Sequence, residues 1–223
     1  MGKWDSGVSY ETIKQNLYTF FNHRLAEFIR KPRKNIGKQL IYTATAIIQL
    51  TNGERAGESM LSLRKFLDER KEEFSIFSFK QGIVKKLADG RVVEKKLSEF
   101  KERIVRIPKI VFVNQAHLDR AMSLAFGHPD NYIPIKFLNP HERAKNYEEY
   151  ERYVNRYEKW IKNNFYVNSH SLRYAWQNKI LEYIENVEIV ATIQGRKNLN
   201  VLLEYIRSRE AQKQYREIFG MLE

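Results

Sequence analysis

Apolar residues recur at helical spacing over most of this chain. Leu17, Phe20, Phe21, Leu25, Phe28 and Ile29 mark one broad face and predict a helix over 10–30. Pro32, inside the basic run from Arg30 to Asn35, disfavours helix in the residue before it and predicts a boundary there. Residues 36–50 are apolar on most sides, as a buried helix is. Leu118, Ala121, Met122 and Ala125 predict a helix over 114–126, broken at Gly127-His128-Pro129-Asp130. Residues 127–141 read as loop, punctuated by Pro134 and Pro140, with His128 and His141 as surface histidines. Tyr147, Tyr150, Val154, Tyr157 and Ile161 follow the three-four rhythm of one face and predict a helix over 147–163. Its tyrosines read as core contacts whose hydroxyls reach water. Another helix begins near His170 and turns Leu172, Ala175, Trp176, Ile180 and Leu181 inward. Residues 206–223 continue as a basic amphipathic helix.

Two stretches break this rhythm. Phe74, Ile76, Phe77 and Phe79 alternate roughly, and their aromatic and β-branched content favours a strand. Residues 103–107 (Arg-Ile-Val-Arg-Ile) are a plausible partner, ended by Pro108. Residues 83–101 between them are longer than a simple hairpin needs. The fold class expected is therefore α+β, mainly helical, with a small antiparallel sheet on one side.

The formal charge of +12, from 39 basic and 27 acidic residues, favours a polyanionic partner, since lysines and arginines that neutralise phosphates release condensed counterions. There is no cysteine, which excludes disulfide and thiolate chemistry. The five histidines are scattered, so neither a structural metal nor another cofactor is expected. The apolar run at 40–50 contains Thr43, Thr45 and Gln49 and is too short to span a bilayer. Trp4 and Asp5 sit where a signal peptide's apolar core would begin, so a cytoplasmic, nucleoid-associated protein is expected.

Candidate chemistry enters through spacing. His170 and Arg173, three apart on a helix, share a face and set an imidazole beside a guanidinium. Far upstream, Thr51-Asn52-Gly53-Glu54-Arg55 reads as a tight turn at Gly53, with Arg55 opening a new helix. Glu58 then orients Arg55 through a charge-assisted hydrogen bond. Gly195-Arg196 and Tyr205, ten residues past the glycine, complete the order. Each piece alone is ordinary: a His-x-x-Arg pair is usually a solvated face, and thirteen tyrosines make any single one unremarkable. The ordered set is not ordinary.

Taken together, His170-Ser171-Leu172-Arg173, the turn leading to Arg55, and Gly195-Arg196 followed by Tyr205 resemble the tyrosine recombinases. These are the integrases that share a catalytic fold with type IB topoisomerases. The resemblance covers residues 36–210, and the substitution pattern looks most like archaeal virus and plasmid integrases. It implies that residues 36–223 form the catalytic domain with a C-terminal helical tail. Residues 1–35 would be an N-terminal helix and basic linker, the remnant of, or connection to, a core-binding domain. Two departures stand out: Glu54, where the family more often has an apolar residue, and Arg196, where it usually has histidine or tryptophan.

The resemblance further implies a metal-independent transesterification on double-stranded DNA by a dimer or tetramer of this chain. Tyr205 would be the nucleophile, forming a 3′-phosphotyrosyl bond. Arg55 and Arg173 would clamp the non-bridging oxygens, Arg196 would add a phosphate contact, and His170 would accept or share the phenol proton. A lysine near the sheet would protonate the leaving 5′-oxygen. Lys80 is the first choice and Lys85, Lys86 and Lys101 are alternatives. Competing readings are a DNA-binding protein with the same fold and no chemistry, a relaxation-only topoisomerase, and an unrelated helical nucleic-acid-binding module.

Overall fold

Helix α2 (Lys34–Asn52) is the hub of the molecule, because its sequence offers apolar side chains in nearly every direction. Leu40, Ile41, Ala44, Ala46, Ile47 and Ile48 are all fully buried. In this computed structural model, which describes residues 8–78, 82–184, 186 and 188–190, five other helices pack on α2. They are α1 (Tyr10–Arg30), α3 (Ala56–Glu69), α5 (Gln115–Phe126), α7 (Tyr147–Phe165) and α8 (Ser169–Leu181). Two short helices are also present among the described residues, α4 (Lys109–Phe112) and α6 (Pro140–Lys145).

Helix α1 presents Ile13, Leu17, Phe21 and Phe28 to the same core as α2, while Ile29, expected on that face, is exposed. Only residues 31–33 separate the two helices, and the core runs continuously across the boundary expected at residue 35. Each such side chain withdrawn from water contributes about 1.5–3 kcal/mol.

The sheet region is two ribbons. β1 (Glu73–Phe77) pairs antiparallel with β4 (Glu102–Arg106), with Phe74 opposite Val105 and Ile76 opposite Arg103. The span between them, too long for a plain turn, folds into a second hairpin of β2 (Val84–Lys86) and β3 (Val92–Glu94). This hairpin region touches α6 where Glu94 and Phe100 both meet His141. On β4 every second residue faces inward, so Arg103 and Val105 are buried and Ile104 is exposed. Asn52 secures β4 to the end of α2: its side-chain amide donates to the Arg106 carbonyl at 3.0 Å, and its side-chain oxygen accepts from the Arg106 N–H at 3.0 Å.

The tyrosine stripe of α7 differs from expectation at its hydroxyls. Tyr150 and Tyr157 are buried rather than wet-tipped, and the Tyr157 hydroxyl donates to Gln49 of α2 at 2.7 Å. The Gln49 amide in turn donates to the Ser169 carbonyl at the start of α8 at 3.0 Å. One buried glutamine thus joins α2, α7 and α8, because a buried amide must use its donors and acceptor.

Candidate functional site

The turn between α2 and α3 is the foundation of the site. Gly53 ends α2 in the left-handed region at φ 62°, which glycine adopts without strain. A Cβ there would also lie 2.4 Å from the Trp176 ring, so α8 seats its indole directly on the turn. Arg55 then caps α3. Its backbone N–H donates to Glu58 Oε2 at 2.9 Å, and its guanidinium donates to Glu58 Oε1 at 2.7 Å. Glu58 in the first turn thus satisfies an orphan helix N–H and orients the arginine at once.

Glu58 is fully buried, and two more guanidiniums converge on it. Arg103 of β4 donates to Glu58 Oε2 at 3.2 Å and also to the Asn52 carbonyl. Arg173 of α8 approaches the same oxygen at 3.9 Å. Burial alone would push the Glu58 carboxyl up, but Arg103, Arg55 and Arg173 together outweigh it and hold it at about 2. Glu58 is therefore a carboxylate at any ordinary pH, ringed by three cations.

Two of these guanidiniums, Arg55 and Arg173, open on a solvent-accessible cleft of about 400 Å³. Arg55, His170 and Arg173 all line it, as do Glu54, Gly57 and Ser169. Its lining also includes Arg143 of α6, Tyr147, Tyr150 and Glu151 of α7, and Ile83 next to the second hairpin. Asn168 caps α8, accepting from the Ser171 N–H at 2.9 Å, so His170 sits in the first turn and Arg173 in the same row. Gly57 lets α7 close in: a Cβ there would fall 1.7 Å from the Tyr150 hydroxyl. Arg143 is buried, donates to the Phe137 carbonyl at 3.0 Å, and is pulled by burial down to about 10.

Of the residues expected from sequence, Arg55, Glu58, His170 and Arg173 are brought together at this cleft. Lys80, Arg196 and Tyr205 lie outside the described residues. Among the alternative lysines, Lys85 of β2 pairs with Glu99, which follows β3, and Lys86 is exposed. Lys101 accepts through its carbonyl from the Ser78 N–H at 3.1 Å, where the β1–β4 ladder ends. Arg103 and Arg143 were not anticipated. Arg103 had a legible signal, an arginine at the inward parity of a strand, whereas Arg143 sits in a short helix without periodicity. Among the described residues no group of histidine, aspartate and glutamate is placed to hold a metal ion. No described helix is long and apolar enough to cross a membrane.

The cleft therefore offers fixed guanidinium donors, Arg55 and Arg173, on a side suited to a tetrahedral oxyanion, with the carboxylates Glu151 and Glu158 also in its lining. The chain is 27% identical over 222 residues to an uncharacterized protein of the archaeon Methanocaldococcus jannaschii, an alignment covering 95% of this chain and 87% of the relative. No family model matches the sequence. No solved structure matches it either.

Proposed function

We propose that this chain is a DNA strand-cleaving and rejoining enzyme of the tyrosine recombinase type, a site-specific recombinase or integrase. The observation that carries this reading is the meeting of Arg55 and Arg173, distant in the chain, on one buried carboxylate and in one cleft with His170. That arrangement follows the motif order in the sequence. The archaeal origin of the similar protein is compatible with the archaeal integrase branch.

In this reading the cleft binds the scissile phosphodiester of double-stranded DNA. Arg55 and Arg173 donate to its non-bridging oxygens, and their planar forks stabilise the charge that builds there. Glu58 keeps both guanidiniums aimed without being consumed. Tyr205 attacks phosphorus and the bond to the 5′-oxygen breaks, leaving a 3′-phosphotyrosyl ester. The phenol proton passes to His170, and Lys80 protonates the departing 5′-oxygen. A second 5′-hydroxyl then attacks the ester and releases Tyr205, so bond energy is conserved. Arg196 adds a phosphate contact and, being always protonated, takes no part as a base.

A nicked suicide DNA duplex tests the proposal, because the short 5′-hydroxyl fragment diffuses away and traps the covalent intermediate. A protein–DNA band is expected in the presence of chelator and is lost in Tyr205→Phe. Arg173→Ala is expected to slow its formation by roughly 10²–10³. A duplex that binds without ever forming the band would instead assign the cleft to phosphate binding without cleavage. Persistence of the band in Tyr205→Phe would mean another nucleophile.

A further inference from the structure

Glu54 precedes the site arginine, where the resembling family more often has an apolar side chain. In the structure it is fully buried in the wall of the cleft. Its Oε1 accepts a hydrogen bond from Ser62 Oγ at 2.7 Å, while its Oε2 is shut off from solvent and has no hydrogen-bond partner among the described residues. A buried carboxylate left with an unsatisfied oxygen is costly; a carboxylic acid in the same place carries no charge to desolvate. We propose that Glu54 serves the cleft as a neutral carboxylic acid, and that the cleft's affinity for anions depends on its staying uncharged. This rests on the cleft being the anion site proposed above.

The surroundings of Glu54 decide how its charge is felt. From α3 it meets Ser62 and the ionised Glu58, from β4 Arg103, and from α8 Arg173. From α2 the Gln49 amide donates to its backbone carbonyl at 3.3 Å, and it lies within electrostatic reach of the buried phenols Tyr132 and Tyr157. Burial pushes the carboxyl up to about 8, Arg103 offsets part of that rise, and the like charge of Glu58 adds to it. With Glu54 neutral, Glu58 set against Arg55, Arg103 and Arg173 gives these four groups a formal excess of two positive charges. Ionising Glu54 halves the excess. One added charge across a cleft of this kind weakens anion binding by about tenfold at the effective dielectric of a partly buried site.

Sulfate tests this, because its charge is constant across the range, whereas inorganic phosphate titrates. Calorimetric titration of the full chain at constant ionic strength should show sulfate affinity falling about tenfold between about pH 6.5 and about pH 9. Compared in a His170→Gln background, which takes the cleft's imidazole out of the comparison, Glu54→Gln, which mimics the neutral acid, should keep the low-pH affinity throughout. Infrared difference spectra should show a protonated-carboxyl carbonyl band that disappears over the same range and is missing from Glu54→Gln. Ser62→Ala removes a hydrogen bond that favours the ionised form, so it should move the transition to higher pH; loss of packing alone would leave the midpoint in place. That variant carries the test if Glu54→Gln does not fold. Equal weakening in wild type and Glu54→Gln, an unmoved midpoint in Ser62→Ala, or absence of sulfate binding at both pH values overturns the proposal. Glu54-dependent sulfate binding in a chain that never forms the phosphotyrosyl band sinks strand cleavage and leaves this inference standing. A chain that forms the band with no Glu54-dependent change does the reverse.

Discussion

Three guanidiniums share the Glu58 carboxylate, and removing that one side chain would take from Arg103 and Arg173, both nearly buried, the carboxylate they hold in common. Glu58→Ala is expected to destabilise the fold by about 3–5 kcal/mol, read from urea denaturation. The two buried glutamates also give stability opposite dependences on pH. The folded state holds Glu58 at about 2, below the ordinary 4.5, so its contribution is complete above about pH 4.5 and is lost as pH falls toward 2. Glu54 is raised to about 8, so its contribution is present below 4.5 and is lost as pH climbs to about 8. Stability should therefore decline between those values at up to about 1.4 kcal/mol per pH unit from this one group, and Glu54→Gln should remove that decline. A wild-type profile as flat as the variant's would show that Glu54 is ionised in the folded state.

At the level of elements, two glycines set how closely α7 and α8 approach the turn that carries Arg55. Gly57→Ala places a methyl group where the Tyr150 hydroxyl lies, and the ring can escape only by moving α7 or leaving its rotamer. A cost of about 1–3 kcal/mol is expected. Because Gly57 itself lines the cleft, sulfate affinity should fall along with the melting temperature. A variant that melts like wild type would mean that α7 does not sit against α3 as described. Much at this scale was legible in the chain: the spacing of Leu17, Phe21 and Phe28 marks α1, and Gly53 marks the end of α2. The β2–β3 hairpin was not, because Val84, Val92 and the lysines around them have no buried face to impose an alternating pattern. Nor was the depth of Tyr150 and Tyr157, since helical periodicity reports which side of α7 faces inward and not how far α2 and α3 close over it.

The whole molecule carries a formal charge of +12, yet the cations that matter most at the cleft are few and fixed in place. Binding of a short DNA duplex should weaken steeply with salt, with a slope of log K against log salt of at least about −3, since each neutralised phosphate contributes about −0.9. A slope near zero would remove the phosphate backbone as the ligand. The pattern of residue types was enough to determine α1, α2, α5, α7 and α8, the β1–β4 pair and the Gly53–Arg55–Glu58 turn, whereas α4 and α6 carry no periodic signal and the helix expected over 206–223 lies outside the described residues. Each feature so determined rests on local periodicity, on the freedom of glycine, or on contacts within one helical turn. Only the tertiary structure decided that Arg103 joins Arg55 and Arg173 on Glu58, that Arg143 faces them, and that Glu54 is shut away from water. Charge interactions and desolvation depend on what distant segments bring within a few ångströms, and that is a property of the packed molecule.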